Sequence, residues 1–333
     1  MINKILFFCL MSLSIISFSC DIFNPSKENG TQIVDELYSE NTDGSNLKKL
    51  ADWANFSLAG NYIINNDGKL TEMDVNGSNI HSLLPANLST YDYSISSDGT
   101  KIVFSANMQI YIIDSDGKNL SKISIPDSIT DNQSPNISFD NSKIVFQNNS
   151  GIFEINIDGN NFRKIKGIPQ SSKISYVKPA FSADDQNIIY AVYDKPSGYY
   201  TDLHSLNLVS LGDTAFFNIN NTLSPVWEIS PQNKLLLSYS FTSHVHQIDL
   251  NNFKNIDNNI ISWGVAKYSS DFSRITYTDA SSSNIICIAD LTTGTVKKLT
   301  INFTNNGSIS VNTSMLSPDG VTLIFSVHRA TFY

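Results

Sequence analysis

The sequence predicts an all-β chain folded as a single β-propeller, with seven four-stranded blades and a ring closed by the two chain ends sharing one blade. Three observations predict it: a strand-and-turn unit that recurs along the chain, an incomplete copy of that unit at each end, and a 41% hydrophobic composition that suffices for one large core. Self-similarity at about 40–45 residues is the sequence signature of propeller blades.

The chain begins with an address. Met1 to Cys20 reads MINKILFFCLMSLSIISFSC, with Lys4 as its one charge, an apolar stretch from Ile5 to Phe18 and small Ser19 before Cys20. This is the pattern of a secretory signal peptide, too short to span a bilayer, which takes about 20 apolar residues. The Ser19-Cys20 junction resembles the bacterial lipoprotein processing site, although Ser17 and Phe18 depart from that pattern. The resemblance implies acylation of Cys20, with ordinary cleavage nearby as the alternative. Residues 1–19 are thus expected to be a signal peptide and 20–30, DIFNPSKENG after the cysteine, a polar tether. Residues 31–333 form the propeller. The expected location is the bacterial cell envelope, lipid-anchored on the extracytoplasmic side, in the periplasm or at the cell surface.

The propeller opens with ELYSENTDGSNLKKL, which matches only the third and fourth strands of the unit. The first complete copy is FSLAGNYIINNDGKLTEMDVNGSNIHSLL from Phe56. The clearest is YSISSDGTKIVFSANMQIYIIDSDGKNLSKI from Tyr93. It parses as a short strand, an Asp98-Gly99 turn, the strand KIVFSA, a loop, the strand QIYIID, an Asp116-Gly117 turn and a last strand, a four-stranded meander. Further copies start at Phe139, Phe181, Ile229 and Tyr268. Turn positions Asp98, Asn141, Asp184, Gln232, Asp271 and Asp319 recur every 39–48 residues. The chain ends on MLSPDGVTLIFSVHR, which matches only the first and second strands. Joining this half to the opening half covers their free edges and closes the ring. Six full copies plus the shared blade make seven, with six and eight as alternatives because terminal repeats are atypical.

The segments SSDGTKIVFS, IYIIDSDGKNLSKI and LSPDGVTLIFS resemble the TolB-type propeller repeat, a WD-like unit with a Ser-Pro-Asp-Gly turn, an apolar strand and a strand ending in Asp-x-Asp-Gly. The likeness runs from Thr31 to the end. It implies the fold, since its residues are turn and core positions, and it does not imply a function. TolB-type proteins have six blades and an added amino-terminal domain, for which this sequence has no room before Leu37.

Composition excludes some functions. With 22 Lys+Arg against 31 Asp+Glu, the net charge of -9 repels phosphate backbones, so no nucleic-acid partner is expected. Three cysteines, Cys9, Cys20 and Cys287, make neither a disulfide framework nor a zinc cluster. Cys287, in NIICIADL, reads as a buried strand residue. Asp114-x-Asp116-Gly117 and Asn156-x-Asp158-Gly159 lack the later ligands of a calcium loop, since Lys118 and Gly167 occupy those positions, and read as turns. No Gly-x-Ser-x-Gly elbow and no phosphate loop is present. His244 and His246, two apart in a strand, point to one side and could share a metal only with ligands from other blades.

Binding is therefore the expected role. Loops between second and third strands open on the same propeller face as the links between blades. The longest, AVYDKPSGYYTD, carries Tyr193, Lys195, Tyr199 and Tyr200; its neighbour SFTSHVH carries Phe241 and His244. Tyrosines offer flat apolar faces with polar tips, suited to peptide anchors or sugar rings. The leading expectation is a non-catalytic lipoprotein that binds an envelope protein partner through this face, with no cofactor. The alternatives are a carbohydrate-binding propeller and a metal-dependent polysaccharide lyase using His244 and His246. Trp53, Trp227 and Trp263 precede or begin blades and are expected to pack between them.

Overall fold

A computed structural model describes residues 31–53, 55–90, 92–169, 172–222, 225–239, 244–256, 260–262, 264–303 and 308–332. The signal segment, Cys20, the tether, Phe241 and Trp263 lie outside the described residues.

The strands form seven antiparallel sheets of four. Blades 1 to 6 follow one another along the chain at residues 56–82, 93–122, 133–167, 174–222, 225–256 and 267–300. Blade 7 is composite, in the order Lys48–Ala51, Thr31–Asn41, Thr322–Phe332, Ser308–Leu316. Its two chain ends pair over eleven residues, from Thr31 opposite Phe332 to Asn41 opposite Thr322. The halves expected from the terminal repeats thus meet as third-and-fourth and first-and-second strands of one blade.

Each of the seven apolar clusters lies between two adjacent blades. Leu37 and Ile324 of blade 7 meet Phe56, Ile63 and Met73 of blade 1, and Val103 and Ile110 of blade 2 meet Phe146 and Phe153 of blade 3. A middle strand is therefore covered on both faces. That is why Ile188–Val192 of blade 4 is a buried apolar run rather than an alternating one. Trp53 packs between blades 7 and 1, and Trp227 between blades 4 and 5, as expected of both. Cys287 is free and fully buried.

The turn between first and second strands repeats with atomic regularity. The serine two residues before the turn carboxylate donates to it at 2.6 Å in Ser96–Asp98, Ser182–Asp184 and Ser269–Asp271. The carboxylate then accepts the backbone N–H two residues on, as Thr100 donates to Asp98. In blade 3 this carboxylate is Asp140, which accepts from Ser138 at 2.7 Å. The sequence reading was one residue out: Asn141 holds the next position, where φ is positive. Gly60, Gly99, Asn141, Asp185, Asn233, Phe272 and Gly320 all occupy that left-handed position. Gly and Asn are the residues that adopt it readily.

That position also stitches blades together. Asn141 Nδ2 donates back to Asp98 Oδ2 of the preceding blade at 2.7 Å. The Asp185 carboxylate accepts from Phe139 N and Asp140 N, and Asn233 Oδ1 from Ala183 N. At Gly99 the approach is too close for any side chain, since a Cβ would lie 2.8 Å from Gly60 N. The face with these turns is knitted by short polar contacts. The opposite, loop face is left to carry variation.

Candidate functional site: the loop face at blades 4 and 5

Blade 4 is the tallest complete blade. Its strands run 8, 8, 9 and 10 residues, while the second strands of blades 2, 3 and 5 have six. The extra length projects past the neighbouring blades on the loop face. It also changes the expected tyrosine loop. The second strand continues to Asp194 and the third starts at Tyr199, so only residues 195–198 form the turn.

Tyr193 and Tyr200 are therefore cross-strand partners rather than loop residues. Their rings meet edge to face at 5.2 Å. Tyr193 is only 8% exposed and belongs to the apolar cluster between blades 4 and 5, and Tyr200 packs against the same cluster. Burial, with Tyr193 beside it, pushes the Tyr200 hydroxyl up to about 12. Of the four candidates on this loop, Tyr199, at 38% exposure, and Lys195 face solvent. A four-residue display becomes a two-residue one.

His244 is exposed and makes a lone β-bridge to Ile261. Its ring lies 6.3 Å from that of His246. His246 packs edge to face on Phe217 at 5.0 Å and receives Asn255 Nδ2 at 3.2 Å on its Nδ1. Among the described residues no group of three or more His, Cys, Asp or Glu is arranged to hold a metal ion. The two suspected calcium loops are turns whose carboxylates are taken: Asp114 receives Lys101 Nζ at 2.8 Å and Asn119 Nδ2 at 2.6 Å, and Asp158 receives Asn160 N at 2.9 Å. The Cys287 thiol, pushed up to about 11 by burial and by Asp279, is held as a neutral hydrophobe.

The residue that sequence reasoning missed is Lys178. It lies in a bulge of the first strand of blade 4, Ile174–Phe181, where the register shifts between Val177 and Ala180. Its φ is +53, directly before Pro179. A side chain before proline is sterically driven to extended backbone, and such strain costs about 1–3 kcal/mol. Ser134 before Pro135 makes the same bulge in blade 3, with φ +49. There the bulge sends the Ser134 N–H to Asp92 Oδ2 at 2.5 Å.

In blade 4 the bulge turns a lysine toward blade 5. Lys178 Nζ donates to Pro225 O at 2.8 Å and lies 5.5 Å from the Trp227 ring centre and 6.0 Å from that of Tyr200. Among the described residues it has no carboxylate within ion-pair distance. Its neighbour Lys267 is paired at 2.5 Å to Glu228, whose second oxygen accepts from Tyr268 N. Desolvation, aided by the charge of Lys267, lowers the Lys178 amine to about 8. The residue as a whole keeps part of its surface exposed.

A polar notch between blades 3 and 4, lined by Asp131, Gln133, Gln147, Asn148 and Tyr176 among others, holds about 10 Å³, the room of one water.

No protein-family model matches this chain, and no curated protein matches it. Solved structures share its fold. A chain of the mitotic checkpoint complex superposes with a TM-score of 0.53 at 13% identity, covering 82% of this chain and 86% of that one. An oligogalacturonate lyase in complex with manganese gives 0.52 at 15%, covering 73% and 78%. TolB from Acinetobacter baumannii gives 0.46 at 13%, covering 91% of this chain and 64% of its own. At such identities the likeness is one of fold, and these neighbours differ in what they do.

Proposed function

We propose that this chain is an envelope lipoprotein, acylated at Cys20, whose propeller presents its loop face to a protein partner without catalysing a reaction. The supporting observation is the direction of the strand Thr31–Asn41. It starts at the loop face, opposite Phe332, so the chain preceding it leaves from the same side as the binding loops. The eleven residues from Cys20 to Thr31 reach at most about 40 Å. A propeller so tethered is attached on its loop-face side, within reach of a partner embedded in or attached to that membrane. The net charge of -9 biases that partner toward basic or neutral surfaces and holds the domain off anionic lipid.

The experiment is cross-linking in intact cells followed by mass spectrometry of what is recovered with the tagged mature protein. A reproducible protein neighbour linked through residues 192–202 or 244–246 is the expected result. Recovery of no protein above background rejects the reading in favour of the carbohydrate alternative, for which Tyr199 is the exposed aromatic. The anchor has its own test, since Cys20→Ala should release the protein from membranes. A variant that stays bound refutes acylation there.

A further inference from the structure

We propose that Lys178, flanked by Tyr200 and Trp227, is the charged element of a binding site for a single carboxylate borne on an apolar body, entered from the loop face between blades 4 and 5. This goes beyond the partner reading above and does not require it.

The inference starts from an imbalance. Lys143, Lys166, Lys267 and Lys298 each meet a carboxylate of the fold. Among the described residues Lys178 meets a backbone carbonyl and two ring faces, which leave N–H capacity of its ammonium unused. A desolvated cation without a counter-ion is costly to keep, and here the backbone is also strained to aim it. The same bulge in blade 3 carries a serine and a satisfied internal contact, so the bulge does not need a lysine. The ring faces of Trp227 and Tyr200 stabilise the cation and offer apolar area beside it. An anion that brought its own apolar body would complete the ammonium and cover the rings. Lys178 as a whole residue is only partly buried.

The charged and titratable groups beside the amine are Lys267, itself paired to Glu228, and Tyr200, whose ring centre lies 6.0 Å away. The Tyr200 hydroxyl, pushed up to about 12 by burial, stays neutral near neutral pH, so the site's pH response is that of Lys178. With the amine near 8, about nine-tenths is protonated at pH 7 and about 3% at pH 9.5, so carboxylate affinity should fall about 30-fold over that interval.

The test is calorimetric titration of the mature protein with phenylacetate, and with phenylacetamide as its uncharged equal in shape. A peptide ending in a free carboxylate, Gly-Gly-Phe, and its amide distinguish a partner's chain terminus from a free organic acid. Binding of either carboxylate but neither amide is expected, with the 30-fold loss at pH 9.5. Lys178→Met should abolish it, Lys195→Met should leave it intact, and Lys178→Arg should retain binding while losing the pH dependence. Failure of both carboxylates to bind the wild type, or equal binding by Lys178→Met, overturns the proposal. Because no cell extract or anchor is involved, that result is independent of whether cross-linking finds a partner.

Discussion

Leu37→Ala tests how the ring is closed. Leu37 sits in the terminal strand, fully buried against Phe56, Ile63, Met73 and Ile324. Removing three carbons forfeits about 2 kcal/mol of transfer free energy. The strand is hydrogen-bonded on both sides, to Thr322–Phe332 and to Lys48–Ala51, so the walls cannot collapse into the space. A residual cavity of about 70–80 Å³ adds nearly 2 kcal/mol more. The expected loss is about 4 kcal/mol, read as a lower midpoint at unchanged slope in urea unfolding followed by tryptophan fluorescence. Ile33→Ala, on the same strand but 62% exposed, should cost under about 0.5 kcal/mol. If the two substitutions cost the same, the amino-terminal strand does not close the ring and the composite blade is wrong.

Other consequences follow from the same contacts. Gly99→Ala forces a Cβ to 2.8 Å from Gly60 N at φ +71, whereas Gly44→Ala at φ +87 meets open space; the first should cost at least about 1 kcal/mol more than the second in the same unfolding assay, the backbone penalty being common to both. Glu40 is buried, with one carboxylate oxygen unpartnered, and burial with Asp43 nearby raises its pKa. A raised carboxylate favours the folded state below its unfolded pKa and loses that advantage as pH rises through the folded value. Glu40→Gln should therefore stabilise the protein at pH 7, by on the order of 1 kcal/mol, with the gain shrinking as the pH approaches the carboxylate range; destabilisation at pH 7 would refute this. Cys287 should resist iodoacetamide in the native protein and react once it is unfolded, so rapid native labelling would contradict its burial.

What the sequence showed and what it hid divide along physical lines. Asp-Gly turns and apolar runs are local, and they announced the blades and the shared closing blade. The phase slipped at Asp140 and Asn141 because two adjacent turn-formers compete for one role, and only the hydrogen bond from Ser138 decides between them. Tyr193 and Tyr200 were read as loop residues because Pro196 and Gly198 signal a turn without saying how far the strands run past their neighbours. Lys178 was illegible for a stronger reason. A residue before proline is expected to be extended, and its partners Tyr200, Pro225 and Trp227 come from another strand and another blade. The pairing of Lys267 with Glu228 likewise spans two blades.

The closing blade also determines how the domain bears load. Thr31 begins the strand at the loop face, and eleven pairs join that strand to Thr322–Phe332. A pull on residue 31 away from that face runs along the strand axis, so the pairs resist together, in shear. Drawing the two chain ends apart from each other would instead open the pairs one after another from Thr31 and Phe332. The same seam is strong against a taut leash and weak against a wedge.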